Sequence, residues 1–336
     1  MSLYYRPLIQ SDPCKPRGAL PVAGGHLWFT DVEQIARGAA SKVVAAADIP
    51  NDILQNLTAP RARFCGVDMQ RPSVMGILNA TPDSFSDGGQ HYTFQDAVNG
   101  AQAMIAAGAD IIDIGGESTR PGADFVDAME EARRTSPVIT ALHKTNPETP
   151  LSIDTRKASV ARAALTAGAV LFNDVTALTY DADSLATAAE LNASVCIMHA
   201  FGDPKTMQDK PEYDNVLLDV YDYLSSRIQA CEAAGIPRAR IMVDVGIGFG
   251  KTQTHNLELL RGIALFHGLG CPILLGVSRK RFIGTIGNAP EAGDRVAGSI
   301  AVGLHAINQG VQMLRVHDIA ETKQAIALNA ALTKQG

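Results

Sequence analysis

From residue 73 onward, short apolar and largely β-branched runs recur along the chain: VMGILN (74–79), ADIIDIGG (109–116), PLSID (150–154), VLFNDV (170–175), SVCIMH (194–199), RIMVDVG (240–246), PILLGVS (272–278) and QMLRVHD (312–318). Near-continuous apolarity is what a strand buried on both faces of a parallel sheet requires. Between the runs lie stretches with helical spacing, among them FQDAVNGAQAMIAAG, KASVARAALTAG, NVLLDVYDYLSSRIQACEAAG and RVAGSIAVGLHAINQG, each closing on the glycine common at helix C-termini. Eight such alternations over about 260 residues predict an α/β fold, a closed (β/α)8 TIM barrel spanning residues 73–336. An open, doubly wound sheet is the alternative, and it suits eight evenly spaced strands less well.

The chain has 336 residues, more than one barrel needs, and the excess lies at the amino end. Residues 1–72 carry Pro13, Pro16, Pro21, the Gly24-Gly25 pair and the only tryptophan, Trp28. They read as an N-terminal extension packing on the barrel, with one helical stretch from Asp31 to Ala40 capped by Thr30 or Asp31. With 46% hydrophobic and 19% charged residues the chain is globular, not disordered. A net charge of −6 argues against a nucleic-acid or anionic-membrane partner, so any anionic ligand must meet a local cluster of cations. Five scattered cysteines, with no C-x-x-C pair, predict buried or shielded thiols of a reducing compartment. The first residues lack a signal-peptide pattern and no run approaches the length of a membrane span, so the expected location is cytoplasmic.

Each strand pattern ends in polar chemistry. Asn79 closes the first and GGESTR (115–120) follows the second. Asp154 closes the third, Asn173-Asp174 the fourth, His199 the fifth and Asp244 the sixth, while Ser278-Arg279-Lys280 follows the seventh and Arg315 and His317 lie on the eighth. In a barrel all these ends open on one face, where active sites are built. A single polar residue there is often only the start of a loop, and Asp174 and His199 are each as well explained by a tie to loop backbone. Eight ends out of eight favour a site. The long NATPDSFSDGG loop (79–89) has the make-up of a lid, and ESTRPGAD (117–124) groups hydroxyl and guanidinium donors. Arg120, Ser278, Arg279, Lys280, Arg315 and His317 form the expected anion cluster, although Arg279 and Arg281 could equally be surface charges. In DVGIGFGKT (244–252) the spacing suits neither a Walker loop, which would need glycine at Val245, nor a dinucleotide fingerprint, which would need it at Lys251. Those glycines read as a tight turn with close packing.

MGILNATPDSFSDGG (75–89) and DIGGESTRPGAD (113–124) closely resemble the two signature segments of the dihydropteroate synthase family. SIDTRKASVARAALTAG, FNDV, MHAFGDPKTMQ, GIGFGKT, LLGVSRKRFIG and RVHDIAET resemble its later blocks in the right order, so the likeness covers about residues 73–330. It implies a (β/α)8 barrel, usually a homodimer, that condenses 6-hydroxymethyl-7,8-dihydropterin diphosphate with 4-aminobenzoate, releasing 7,8-dihydropteroate and diphosphate in folate biosynthesis. By resemblance Asp154, Asn173 and Asp244 hold the pterin, Lys280 meets its carbonyl side and borders the aminobenzoate, and Ser278 lies near the benzoate carboxylate. Arg315 and His317, with Asn79, Thr119 and Arg120, match the diphosphate and Mg²⁺ groups, Asn79 being the direct metal ligand. Asp87 matches the carboxylate facing the cation left when diphosphate departs, which makes Asp87, Lys280 and Arg120 the catalytic set.

Three positions depart from the family pattern: Val245 replaces a usual proline, Ala200-Phe201 replaces Met-Gln, and Arg156 stands where an aromatic is common. None removes a polar group of the site, so they bear on pocket shape. Two other functions share parts of the pattern. A pterin-binding methyltransferase has no diphosphate to hold and does not call for Ser278-Arg279-Lys280 or Arg315-Val316-His317. A non-catalytic pterin-binding barrel does not call for Asp87 and Arg120 beside the anion cluster.

Overall fold

A computed structural model describes residues 2–80, 94–117, 125–201 and 211–333. Five short strands come first: β1 (Leu3–Pro7), β2 (Leu20–Pro21), β3 (Trp28–Phe29), β4 (Asp31–Ala36) and β5 (Lys42–Ala45), followed by helix α1 (Asn51–Thr58). They form an antiparallel sheet of order β1-β4-β5 and a β2–β3 pair. The expected helix over Asp31–Ala40 is therefore a strand. Val32 and Ile35 have helical spacing, but pairing with β1 buries Val32 completely and sets Glu33 opposite Arg6, an ion pair of 2.7 Å. Tertiary pairing has overridden a weak local pattern.

The barrel strands are β6 (Ser73–Asn79), β7 (Ile111–Gly115), β8 (Leu151–Asp154), β9 (Leu171–Asp174), β10 (Ser194–Met198), β11 (Ile241–Asp244), β12 (Ile273–Leu275) and β13 (Met313–Val316). All are parallel, and they close in the order of the chain, with β13 pairing β6. Each expected run is thus a strand of one (β/α)8 TIM barrel. The helices are α2 (Phe94–Ala106), α3 (Ala128–Thr145), α4 (Ala158–Thr166), α5 (Ser184–Glu190), α6 (Val216–Ala233), α7 (Gln253–Arg261), α8 (Arg281–Gly287), α9 (Val296–Asn308) and α10 (Ile319–Thr333). Among the described residues no helix is long and apolar enough to cross a membrane.

Alternate residues on each strand serve two different cores. Val74, Leu78, Ile112, Ile114, Ile153, Phe172, Val243 and Leu275 pack outward against the helices. Met75, Ile111, Leu171, Cys196, Met242, Leu274 and Met313 point into the lumen and fill its lower layer together with Phe64 and Met69. Those last two come from the connector ahead of β6, so the amino-terminal segment plugs the floor. It is also fastened outside the barrel. Tyr4 Oη donates to Asp222 at 2.8 Å, Arg37 to Asp219 at 2.6 Å, and Arg61 donates at 3.0 Å to the His267 carbonyl of the 3₁₀ segment Ile263–Leu269. All five cysteines are free thiols. Cys196, Cys231 and Cys271 are buried as expected, whereas Cys14 is exposed on the extension.

Candidate active site

Two residues further along β7, β9, β11 and β13, the inward position changes from apolar to polar: Ile111 to Asp113, Leu171 to Asn173, Met242 to Asp244 and Met313 to Arg315. Register puts Asp113 beside Ser152, Asp154 beside Asn173, and Met198 beside Asp244. Arg315 lies one inward step above Met313 on β13. Position along the barrel and side-chain parity therefore bring Asp113, Asp154, Asn173, Asp244 and Arg315 into one layer at the carboxyl end. Parity also removes two candidates. Asp174 faces out of the lumen, and its carboxylate accepts from the Thr176 and Leu178 N–H groups at 2.7 and 3.0 Å, tying down a turn. His199 sits behind the wall, with its ring 4.9 Å from that of Tyr223.

The layer is a connected network. Arg315 Nε donates to Asp113 Oδ2 and Nη2 to Asp154 Oδ2, each at 2.6 Å. Asn173 Nδ2 donates to the same Asp113 oxygen at 3.0 Å. Asp244 Oδ1 accepts from the Gly246 N–H at 2.8 Å. Burial raises the Asp154 carboxyl above the ordinary range while the Arg315 charge opposes it, and burial likewise raises Asp244 against the pull of Lys280. Asp154 Oδ1 has no hydrogen-bond partner among the described residues. A buried acceptor of that kind is suited to a ligand N–H.

Around the rim, Lys280 Nζ donates to the Ile247 carbonyl and lies 4.7 Å from the centre of the Phe249 ring. Burial lowers its pKa to about 8, with Asp244 holding it from falling further. Ser278 Oγ and His317 Nδ1 share a hydrogen bond of 2.9 Å, and the His317 N–H donates to the same hydroxyl at 3.2 Å. Arg279 pairs with Asp318, its Nε donating at 3.0 Å, while Arg281 is exposed on α8. The two guanidiniums are thus engaged elsewhere or open to solvent. Asn79 ends β6, half-buried, on the inward parity. Its neutral amide oxygen is the kind of donor Mg²⁺ accepts beside substrate phosphate oxygens and water. Asp87, Thr119 and Arg120 lie outside the described residues.

The glycine-rich stretch after β11 is a packing device. Gly246 has φ +67°, and a Cβ there would stand 1.9 Å from the His199 carbonyl oxygen. Only glycine lets the ends of β10 and β11 approach this closely, and the turn then carries Ile247 and Phe249 to Lys280.

Several contributors were not visible in the sequence pattern. Asp113 is hidden inside the apolar run IIDIG, and an inward parity shared with Asp154 is the signal that finds it. Lys251 is buried behind the wall, where Nζ donates to the His199 and Phe249 carbonyls at 3.1 and 3.0 Å and contacts His199 Nδ1 at 2.9 Å. Burial drives the pKa of Lys251 well down and that of His199 to about 3. Glu117 accepts from the Val126 N–H at 3.0 Å and pairs with Lys157 at 3.1 Å, and Lys157 also pairs with Glu131 at 2.6 Å. Arg156, one of the three departures, joins Glu117 at 3.3 Å and stacks 4.2 Å over Tyr180, so its side chain supports that loop base.

The profile of a family described as pterin binding enzyme matches residues 75–317. Dihydropteroate synthase of Escherichia coli (strain K12) is 46% identical over 265 residues, which is 79% of this chain and 93% of that protein. The chain belongs to the dihydropteroate synthase family. Among solved synthases, that of Xanthomonas albilineans with 4-aminobenzoic acid superposes with a TM-score of 0.77 at 44% identity, covering 83% of this chain and all (100%) of that one. The same bacterium's synthase in complex with 7,8-dihydropteroate matches with a TM-score of 0.73 at 42% identity, covering 80% and 97%. The unmatched part of this synthase-family chain lies chiefly in the amino-terminal extension, since the family match begins at residue 75.

Proposed function

We infer that the chain is a transferase that condenses 6-hydroxymethyl-7,8-dihydropterin diphosphate with 4-aminobenzoate, giving 7,8-dihydropteroate and diphosphate. The single observation that carries this reading is the mouth layer: the buried carboxylates of Asp154 and Asp244 share the end of the lumen with the Arg315 guanidinium, and Lys280, Ser278 and His317 stand at its rim. A flat ring edged with N–H groups suits the carboxylates, and anionic groups suit the rim.

Asp154, Asn173 and Asp244 hold the pterin edge. Lys280, with its ammonium just above Phe249, donates to the pterin carbonyl side and borders the aminobenzoate, whose carboxylate lies toward Ser278. Arg315 and His317, with Thr119 and Arg120, take the diphosphate. As the C–O bond to diphosphate breaks, positive charge spreads from the methylene into the pterin, and Asp87 faces it. The aminobenzoate nitrogen then forms the new C–N bond and gives up a proton to complete dihydropteroate. Positioning and electrostatics supply the rate here, with no covalent enzyme intermediate. Mg²⁺ held by the Asn79 amide oxygen would supply charge neutralisation at the leaving group. The working form is a homodimer in the cytoplasm. Leu328 and Leu332, one turn apart on α10 and 63% and 82% exposed, support an apolar subunit contact.

Incubation with the pterin diphosphate, Mg²⁺ and labelled 4-aminobenzoate is expected to yield labelled dihydropteroate. Tight pterin binding without product would overturn the synthase reading in favour of a binding protein or methyltransferase.

A further inference from the structure

Asp113 has no part in the chemistry above, yet it is the most deeply buried group of the mouth, at 0% exposure. One of its oxygens accepts both from Arg315 Nε at 2.6 Å and from Asn173 Nδ2 at 3.0 Å, while its other oxygen has no partner among the described residues. Two residues assigned to the substrate therefore hang on a single carboxylate. Arg315 reaches it by crossing over β6, since β13 pairs with β6 and not with β7. A guanidinium is planar, so fixing Nε on Asp113 also fixes where its two terminal nitrogens point. Committing Asn173 Nδ2 to the same oxygen leaves the amide oxygen as the acceptor for a ligand.

The two arms of Arg315 differ in what a ligand does to them. Asp154 must turn acceptor capacity toward the pterin, and the bond it takes from Nη2 competes for that capacity. The bond from Nε to Asp113 lies deeper and competes with nothing. We propose that Asp113 is a positioning residue, which holds Arg315 and Asn173 in place while the Nη2 arm of Arg315 exchanges from Asp154 to the substrate. This rests on the synthase reading. Were Asp113 present only to neutralise the half-buried Arg315, its loss would lower stability and spare selective affinity.

The test is calorimetric titration of the pterin diphosphate substrate with Mg²⁺ into the wild type, Asp113→Asn, Arg315→Met and the double variant, alongside KM for both substrates. Asp113→Asn is expected to raise the pterin Kd at least about tenfold and to leave KM for 4-aminobenzoate within about twofold. In the Arg315→Met background the same change should add less than about threefold, because only its hold on Asn173 is left to lose. A Kd within about twofold of wild type, or an equal loss in both backgrounds, overturns the proposal. If Asp113→Asn does not fold, Asp113→Glu keeps the charge and displaces it by a methylene. A rise in Kd of about threefold or more is then expected, and a wild-type value overturns the proposal. Failure of the wild type itself to bind pterin diphosphate would instead remove the synthase reading, so the two failures are distinct.

Discussion

Burial displaces Lys280 and the carboxylates beneath it toward their neutral forms. Burial pulls the Lys280 ammonium from its usual 10.5 to about 8 and lifts Asp154 and Asp244 above the usual carboxylate range. The proposed binding mode needs the carboxylates ionised and the ammonium protonated. The pH profile of kcat/KM should therefore rise on the acid side later than an ordinary carboxylate would allow, and fall near pH 8 as Lys280 loses its proton. A profile flat from pH 6 to about 10 would contradict this. For stability the signs run the other way. A carboxyl raised in the folded state contributes at acid pH, and that contribution is lost as pH rises through the folded value. A lysine lowered in the folded state contributes above 10.5, and that is lost as pH falls through about 8. Near neutrality both costs are present, so Lys280→Met should reduce product formation at least about 100-fold while raising thermal stability by about 1 kcal/mol in unfolding scans. At this scale the sequence disclosed most of the site but not Asp113. Its carboxylate sits within an apolar run, and only the strand parity, with Ile111 inward and Ile112 and Ile114 outward, shows that it faces the lumen.

Among the elements, the barrel strands were legible because burial on both faces leaves a plain apolar signature, while β4 was not. A short strand in a small sheet depends on its neighbours for its shape: Val32 and Ile35 would share one helix face, but on the strand they face opposite sides and join two different clusters. The connector ahead of β6 was equally silent, since Phe64 and Met69 carry no pattern of their own and matter only because the barrel floor receives them. Phe64 is 1% exposed there. Phe64→Ala should destabilise the fold by about 3 kcal/mol in denaturant titration, through lost burial and the cavity left behind. Its kcat/KM should stay within about twofold of wild type, because the floor and the reacting groups lie at opposite ends of the barrel.

In the whole molecule, a net charge of −6 coexists with Lys280 and Arg315 at one mouth, so the proposed site would meet an anionic substrate locally rather than by the overall field. The outer surface bears on assembly. Replacing Leu328 and Leu332 together by aspartate should convert the proposed dimer to a monomer in sedimentation velocity, without unfolding it, because both side chains are largely exposed within one subunit. The plugged floor has a further consequence. With Phe64 and Met69 filling the lower layer, the barrel is a blind tube with one doorway. The molecule seated lowest is shut in by the next arrival, and can leave only after that upper occupant has gone. Until the two are joined, occupancy is a stack, last in and first out, and a molecule lodged at the rim blocks departure as effectively as entry.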